Sequence, residues 1–574
     1  MMTLKKIWAL FFLFIFEEIK ILRNRIINIK VFCSEINILK FLFKDITKKN
    51  DIFRIDNQNK YLKLIPKKLN SKKIKYKVGK KIFVESFINH PAYTIPNCFI
   101  AKIIQDQTKY ELHGILRSGD IKAKKTMNSF GIKKIIYINE GNFFSRIYYF
   151  YLSFLKLNKI KKVKDLLNFK VNNIDYGQAV YEQFIRFKKN PDISNVDINF
   201  YYLMSKVLYL DANFNKIFKN FKNSYLVQSE TQYLPFRISL QNALKFNIKV
   251  ISKRGISKNG IRIYKKLKER NENRNKISRD LFNKYYFKYM AKNKNKVNKF
   301  YIQQNRNFFG KDTYQQIFKN KEKNKIISSK LDLCKLLKLN SNKPIVIILA
   351  HELTDGNLNN SWNLFENDMY WLKETMNKIV SLDSVNWIIK PHPSEDIYDA
   401  KIKTISLYEK YCKNKKHIKL FPKNLKLQNE NKIYSCAITS HGSAGFEFPG
   451  IGIPTIICGD TPYSSLGFNV EPKSKKEYFK FLKNIKKIKK NSKLEIQKCR
   501  FFNFMYHELC SVRNPIMHEA DITMNYDKNK IWKNLLKDLN NYEKFNTNYV
   551  DSVNNLIISN SNVLINLKNK LSLK

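Results

Sequence analysis

The chain has 574 residues, 44% of them hydrophobic, which is enough for two or three domains with real cores. Lys and Arg number 107 against 47 Asp and Glu, a formal net charge of +60. This excess runs along the whole chain, as a coding bias toward Lys, Asn and Ile spreads it. No zinc-finger spacing or RNA-recognition motif accompanies it, so nucleic acid is not expected as a partner.

The elements follow in chain order. Lys5-Lys6 precede ten apolar residues, Ile7 to Phe16, before Glu17-Glu18 intrude. The run is too short to span a bilayer, and no small-residue cleavage site follows it. It is predicted as a buried or interfacial helix within an N-terminal helical segment, residues 1–80, which ends in the basic cluster Lys67 to Lys75. Residues 81–300 read as a first α/β domain. Strands are predicted at Lys81–Phe87, Glu111–Leu116, Lys133–Ile138, Ser224–Val227 and Ile248–Ser252, with helices at Phe99–Ile104 and Pro235–Phe246 between them. Alternating strands and helices argue for parallel, doubly wound sheets.

A Lys/Asn-rich linker, 301–339, leads to a second α/β domain, 340–500. It opens with Pro344–Ala350, an apolar run fit for a buried parallel strand. Trp362, Phe365, Met369, Leu372, Met376 and Ile379 form one face of a helix with Ser361 as its N-cap. Residues 501–574 are predicted as C-terminal helices, the last forty residues as a loosely packed tail. The eight cysteines (33, 98, 334, 412, 436, 458, 499 and 510) form no CxxC pair, and several sit in apolar runs. That pattern fits buried thiols in a reducing cytoplasm and argues against a disulfide framework or a structural zinc site.

Two motifs of the second domain carry chemistry. The strand Trp387–Ile389 stops at Lys390-Pro391-His392-Pro393, because two prolines cannot continue a central strand. Lys390 and His392 are thus set at a strand's carboxyl end, where open α/β sheets bind ligands, and a cation with an imidazole suits a diphosphate. The second motif runs from Ala437-Ile438 through the small-residue turn Thr439-Ser440-His441-Gly442-Ser443-Ala444-Gly445 into a short helix, then to a strand at Thr455–Cys458. Such a turn at a helix N-terminus offers free N–H groups to an anion. Two residues into that helix, Glu447 is placed to reach a ribose hydroxyl.

On these residues, continued by Gly452-Ile453-Pro454, Gly459 and Tyr463, the chain resembles GT-B glycosyltransferases of the capsule and surface polysaccharide biosynthesis family, which include Kdo transferases. Weaker echoes are Asp175-Tyr176-Gly177 with Tyr181, and Ser229 to Tyr233. The resemblance covers about residues 80–470 and is specific only in the second half. It implies two Rossmann-like domains facing across a cleft, with extra N- and C-terminal helices. It implies a nucleotide-sugar donor in the second domain and a growing glycan, free or lipid-linked, as acceptor in the first.

Lys390, His392, Ser440, His441, Gly442, Ser443 and Gly445 would then hold the donor phosphates, and Glu447 the ribose. The absence of any Asp-x-Asp fits a metal-independent reaction needing no cofactor. Candidates for the acceptor-side base are Asp175, Glu230, His90 and Glu140, with Asp355 also near the expected cleft and His392 a further catalytic candidate. Competing readings are a polyol-phosphate transferase, a nucleotide-sugar epimerase, and a non-catalytic nucleotide-binding scaffold. The expected location is cytoplasmic and peripheral on an anionic membrane surface, the inner face of the plasma membrane, through Trp8–Phe16 and the basic excess.

Overall fold

A computed structural model describes residue 15 and residues 49–568, apart from 70–74, 89, 140, 194, 256–257, 312–324, 328, 357, 359–361, 423–424, 427–432, 518–527 and 560. The N-terminal apolar run other than Ile15, Cys33, Glu140 and Ser361 lie outside the described residues. The chain forms two compact units. The first comprises Met1–Phe184, Ser194–Arg270 and Val512–Leu567; the second comprises Ile185–Ile193, Asn271–Ser511 and Lys568–Lys574.

The first unit is built on seven strands. Six are β1 (Lys81–Ser86), β2 (Glu111–Arg117), β3 (Lys134–Ile138), β4 (Tyr225–Gln228), β5 (Lys249–Arg254) and β6 (Lys258–Tyr264). Their order across the sheet is β6-β5-β4-β1-β2-β3, with the short strand Val512–Arg513 added antiparallel beside β6. Strands β1 to β5 are parallel, and β6 turns back antiparallel on β5. The chain therefore builds outward in one direction from β1, then returns to build from its other side. This is the doubly wound, Rossmann-like order, with its switch point between β1 and β4.

Helix α1 (Lys49–Lys68) and helix α2 (Pro91–Thr108) help cover this sheet. His90 caps α2, its Nδ1 accepting from the Ala92 N–H at 3.2 Å, and Pro91 fits the first helical position, where no N–H is needed. Helix α3 (Phe143–Leu157) is capped by Asn142, which accepts from Ser145 N–H at 2.8 Å. It packs on α4 (Ile198–Phe218).

Residues 535–558, read from sequence as part of a loose tail, are packed helices. Helices Lys528–Asn540 and Tyr542–Ile558 bury Trp532, Leu535, Leu539, Tyr549, Val553 and Leu556 in the first unit's core. Tyr549 stacks on Phe99 at 5.4 Å, and Trp532 meets Tyr61 of α1 at 5.6 Å. The Asn and Ser residues that suggest a tail are interleaved with an apolar stripe at helical spacing, and composition averages that stripe away.

In the second unit five parallel strands, β7 (Ile345–Leu349), β8 (Asn386–Lys390), β9 (Ile418–Leu420), β10 (Cys436–Thr439) and β11 (Thr455–Ile457), take the order β9-β8-β7-β10-β11. This is again a doubly wound sheet, with its switch point between β7 and β10. Strand β7 reads Ile-Val-Ile-Ile-Leu, and its first four residues are fully buried, as in a parallel strand covered on both faces.

Helix α5 (Phe236–Lys245) belongs to the first unit and α6 (Asp368–Ile379) to the second. Helix α6 begins later than its apolar stripe predicts. Asn367 is the N-cap, accepting from Tyr370 N–H at 2.9 Å, while Trp362 and Phe365 lie in non-helical chain. Asn-x-x after a polar turn is a cap in its own right, and the two aromatics before it mimic the helical period by chance.

The passage between units falls at Arg270, ahead of the expected 301–339 linker. The cause is the aromatic helix Arg279–Lys311, which joins the second unit's core. Phe282 meets Phe501 at 5.5 Å and Tyr289 meets Phe504 at 4.9 Å. The seven described cysteines are free and buried.

Candidate functional site

Three neighbouring parallel strands of the second unit each end in a histidine. His351 follows β7, His392 follows β8 and His441 follows β10. The His351 and His441 rings stack at 3.9 Å and 28° across the switch point, and the His392 ring lies 5.9 Å from His351 on the other side. The Lys390 and Ser440 loops are therefore at the same sheet edge, as expected, but not side by side. β7 and His351 stand between them.

Asp368, buried at the start of α6, lies under two of these rings. Its carboxylate oxygens are 3.5 Å from His441 Nδ1 and 4.0 Å from His351 Nδ1. Ser440 is buried, and its hydroxyl lies 3.0 Å from His441 Nδ1 and also hydrogen-bonds Asp368.

His392 is oriented by its own loop. The Ser394 N–H donates to its Nδ1 at 3.3 Å, and the Ser394 hydroxyl lies 2.6 Å from the same atom. That nitrogen accepts, so the proton of the neutral ring belongs on Nε2, which is left to donate. Lys390 is half-buried over the Phe421 ring at 5.3 Å.

Electrostatics keep these rings uncharged. Burial, then the neighbouring His441, pushes His351 down to about 4, against the pull of Asp368. Burial, then His392, lowers His441 to about 4. Burial, His351 and Lys390 lower His392 to about 3. Burial also lowers Lys390, with Glu447 opposing, and raises Asp368. The resting site is a set of neutral imidazoles beside the Lys390 amine, at a place where a bound dianion would draw protons onto the rings and favour the charged amine.

The glycines of the turn have steric reasons. A Cβ on Gly442 would sit 2.9 Å from Thr439 Oγ1 and 3.5 Å from His351 Nε2. One on Gly445 would collide with the buried Tyr463 ring, whose hydroxyl donates to the Gly442 carbonyl. Helix α7 (Ala444–Glu447) is a single turn, continued by a tight turn at Pro449–Ile451. One turn has little dipole, so the expected helix-end attraction for phosphate shrinks, and charge must come from side chains. Ser443 is exposed at the turn. Glu447 is buried, its carbonyl accepts from the Tyr301 hydroxyl, and its carboxylate acts on the neighbouring Lys390.

His351, Asp368 and His441 have donor atoms within 4.8 Å of one another and form a group that could hold a metal ion. Their stacking is unfavourable for it. In-plane lone pairs of two nearly parallel rings do not converge, so one ring would have to turn to share an ion.

The first-unit candidates separate. His90 and Glu230 follow β1 and β4, at that sheet's switch point. Both are half-buried, His90 as the α2 cap and Glu230 accepting from Thr231 N–H at 2.8 Å. Asp175 does not fit the role of base. It is fully buried, bound by Arg270 through 2.6 and 3.1 Å bonds and paired with Lys170 at 3.4 Å. Burial raises its pKa, but Arg270 outweighs this and the net shift is downward. A base must reach an acceptor oxygen, and this carboxylate does not reach solvent. In the second unit, Asp355 is held by Tyr398 at 2.9 Å and Arg186 at 3.2 Å.

Glu85, at the end of β1, is missed by sequence reading. Its two oxygens accept from Phe87 N–H (2.6 Å) and Ser229 N–H (3.1 Å), tying the two loops of the switch point together. Burial raises it to about 7, opposed by those N–H groups. His351 and Asp368 are also missed. Each lies outside any motif, and only the strand order brings them to His441.

No protein-family model matches the chain, and no curated protein matches it. Among solved structures it is similar to KpsC of Thermosulfurimonas dismutans, a beta Kdo 2,4 transferase, at 10% identity over 48% of this chain and 79% of that one, with a TM-score of 0.29. It is similar to MnaA of S. aureus in complex with UDP at 12% identity, over 73% of this chain and 91% of that one, with a TM-score of 0.24. Anabaena HepE, in complex with UDP and glucose, gives 10% identity over 80% and 99%, with a TM-score of 0.23. Likenesses this slight decide nothing about function.

Proposed function

We propose that the chain is a glycosyltransferase that takes a sugar from a nucleotide-sugar and adds it to a surface glycan. The observation carrying this reading is the set of three histidines and Lys390 at the carboxyl ends of β7, β8 and β10, around a doubly wound sheet's switch point. Ligands of open α/β sheets bind there. Lys390 offers charge to a departing diphosphate. His392 Nε2–H offers a donor, and His441, held at Nδ1 by Ser440 and Asp368, offers one once a bound dianion has drawn a proton onto its ring. Preorganised donors of this kind stabilise the charge that develops as the glycosidic bond breaks. The reaction is proposed to run without a metal, and His90 or Glu230 of the first unit is the proposed acceptor-side base.

The test is thermal stabilisation by CMP-, UDP-, GDP- and CDP-linked sugars. A donor at ten times its dissociation constant should add about 1.4 kcal/mol. If no donor on the panel stabilises the chain, the nucleotide-sugar reading fails. Product analysis with the stabilising donor then separates transfer from epimerisation.

The pH dependence has a definite sign. The free rings titrate at about 3 to 4, and a bound diphosphate raises those values, so the complex takes up protons that the free site lacks. Affinity should therefore rise as pH falls from 8 to 6, by up to about tenfold per pH unit for each proton taken up. Affinity that stays flat over this range rules out proton uptake by the imidazoles.

A further inference from the structure

Helix α3 presents an aromatic face that the described residues do not cover. Its inner side packs on α4, with Tyr149 against Tyr209 at 5.4 Å and Phe154 against Tyr201 at 6.0 Å. On its outer side Phe144 is 79% exposed, and Phe143, Ile147, Tyr148, Tyr151 and Leu155 are 43–58% exposed. At 3.6 residues per turn these six side chains fall within an arc of about 140°. Single exposed hydrophobics are ordinary, but a contiguous stripe of this kind marks an interaction surface.

The surrounding charge selects the partner. From Glu140 to Asp165 the chain has six Lys and Arg against two acids, one at each end of the stretch. Lys159, Lys161, Lys162 and Lys164 are exposed just beyond the helix. An apolar stripe with ammonium groups beside it complements a surface that is anionic at the top and apolar beneath, which is a bilayer carrying anionic head groups. Tyrosines suit that boundary, with the ring in the apolar layer and the hydroxyl in water. A second copy of the same face is disfavoured, because pairing would bring two surfaces of net positive charge together. Among the described residues no helix is long and apolar enough to cross a membrane.

We propose that α3 seats the protein on an anionic bilayer, with Phe144, Tyr148 and Tyr151 in the head-group boundary and the following lysines on lipid phosphates. This surface is made of residues 143–155 and not of the N-terminal apolar run, and the proposal does not depend on the transferred group.

The test uses the full chain with vesicles of phosphatidylcholine alone or mixed with phosphatidylglycerol. The wild type should sediment with the mixed vesicles at low salt and progressively less as salt rises. The triple variant Phe144→Ser/Tyr148→Ser/Tyr151→Ser should keep its melting temperature, since the three side chains are exposed, and lose about tenfold or more in vesicle partition. A Tyr148→Trp reporter should shift its emission to the blue only with mixed vesicles. The proposal is overturned if the triple variant partitions like the wild type, or if neutral vesicles bind equally well. It is also overturned if the reporter does not shift, or if the triple variant only converts a dimer to a monomer while vesicle binding persists.

Discussion

Replacing either Lys390 or His392 with Ala should lower kcat/KM about a hundredfold, the scale of losing one preorganised electrostatic contact in the transition state. Lys390 is the cation proposed to meet the leaving phosphate. The His392 Nδ1 is already engaged by Ser394, so its other nitrogen is the one left to donate. Both side chains are half-buried at a sheet edge rather than in the core, so far-UV circular dichroism and the melting temperature should change little. Turnover is measured with the donor that stabilises the wild type. Wild-type turnover in both variants would show that the Lys-Pro-His-Pro loop is only a way out of the sheet.

Asp175→Ala should behave in the opposite way, as a stability variant. Removing one partner of a buried ion pair leaves the other charge uncompensated, at about 3–5 kcal/mol. Here Arg270 loses both of its charge-assisted bonds, and the buried Arg237 nearby loses a favourable charge. Urea denaturation of Asp175→Ala against wild type measures this. Unchanged stability with lost turnover would restore Asp175 as a candidate base and contradict its placement as a cross-link.

Strands expected from sequence agree closely with the structure, because parallel strands buried on both faces are short apolar runs between turn residues. Lys81–Phe87, Glu111–Leu116, Pro344–Ala350 and Trp387–Ile389 each overlap an observed strand. The Lys390 and Ser440 motifs were legible because proline and glycine mark where the chain leaves a sheet. Their spatial relation was not, since strand order is a long-range property that leaves no local trace. That order puts β7 between them, and it brings in His351 from a loop without a motif and Asp368 from a helix start. Glu85 is hidden for a related reason. Its alternating position in a strand reads as a solvent-facing residue, and only the return of β4 beside β1 encloses it. The C-terminal helices are expected, but their burial is hidden because the Asn and Ser between their apolar residues dominate the composition.

The return of Val512–Leu567 to the first unit bears on how the protein is made. A ribosome that has finished residue 270 has delivered five parallel strands and β6, but not the helices that supply Trp532 and Tyr549 to the same core. The interval is the whole of residues 271–511, which at about 5–20 residues per second takes about 12–50 s. During that time the first unit has to remain incomplete while the second, an uninterrupted insert apart from its short outlying segments, is free to close. Chains stalled soon after residue 511 should therefore yield a protease-resistant second unit and a digestible first one. Resistance of residues 81–270 in such chains would show that the early strands need no C-terminal partner.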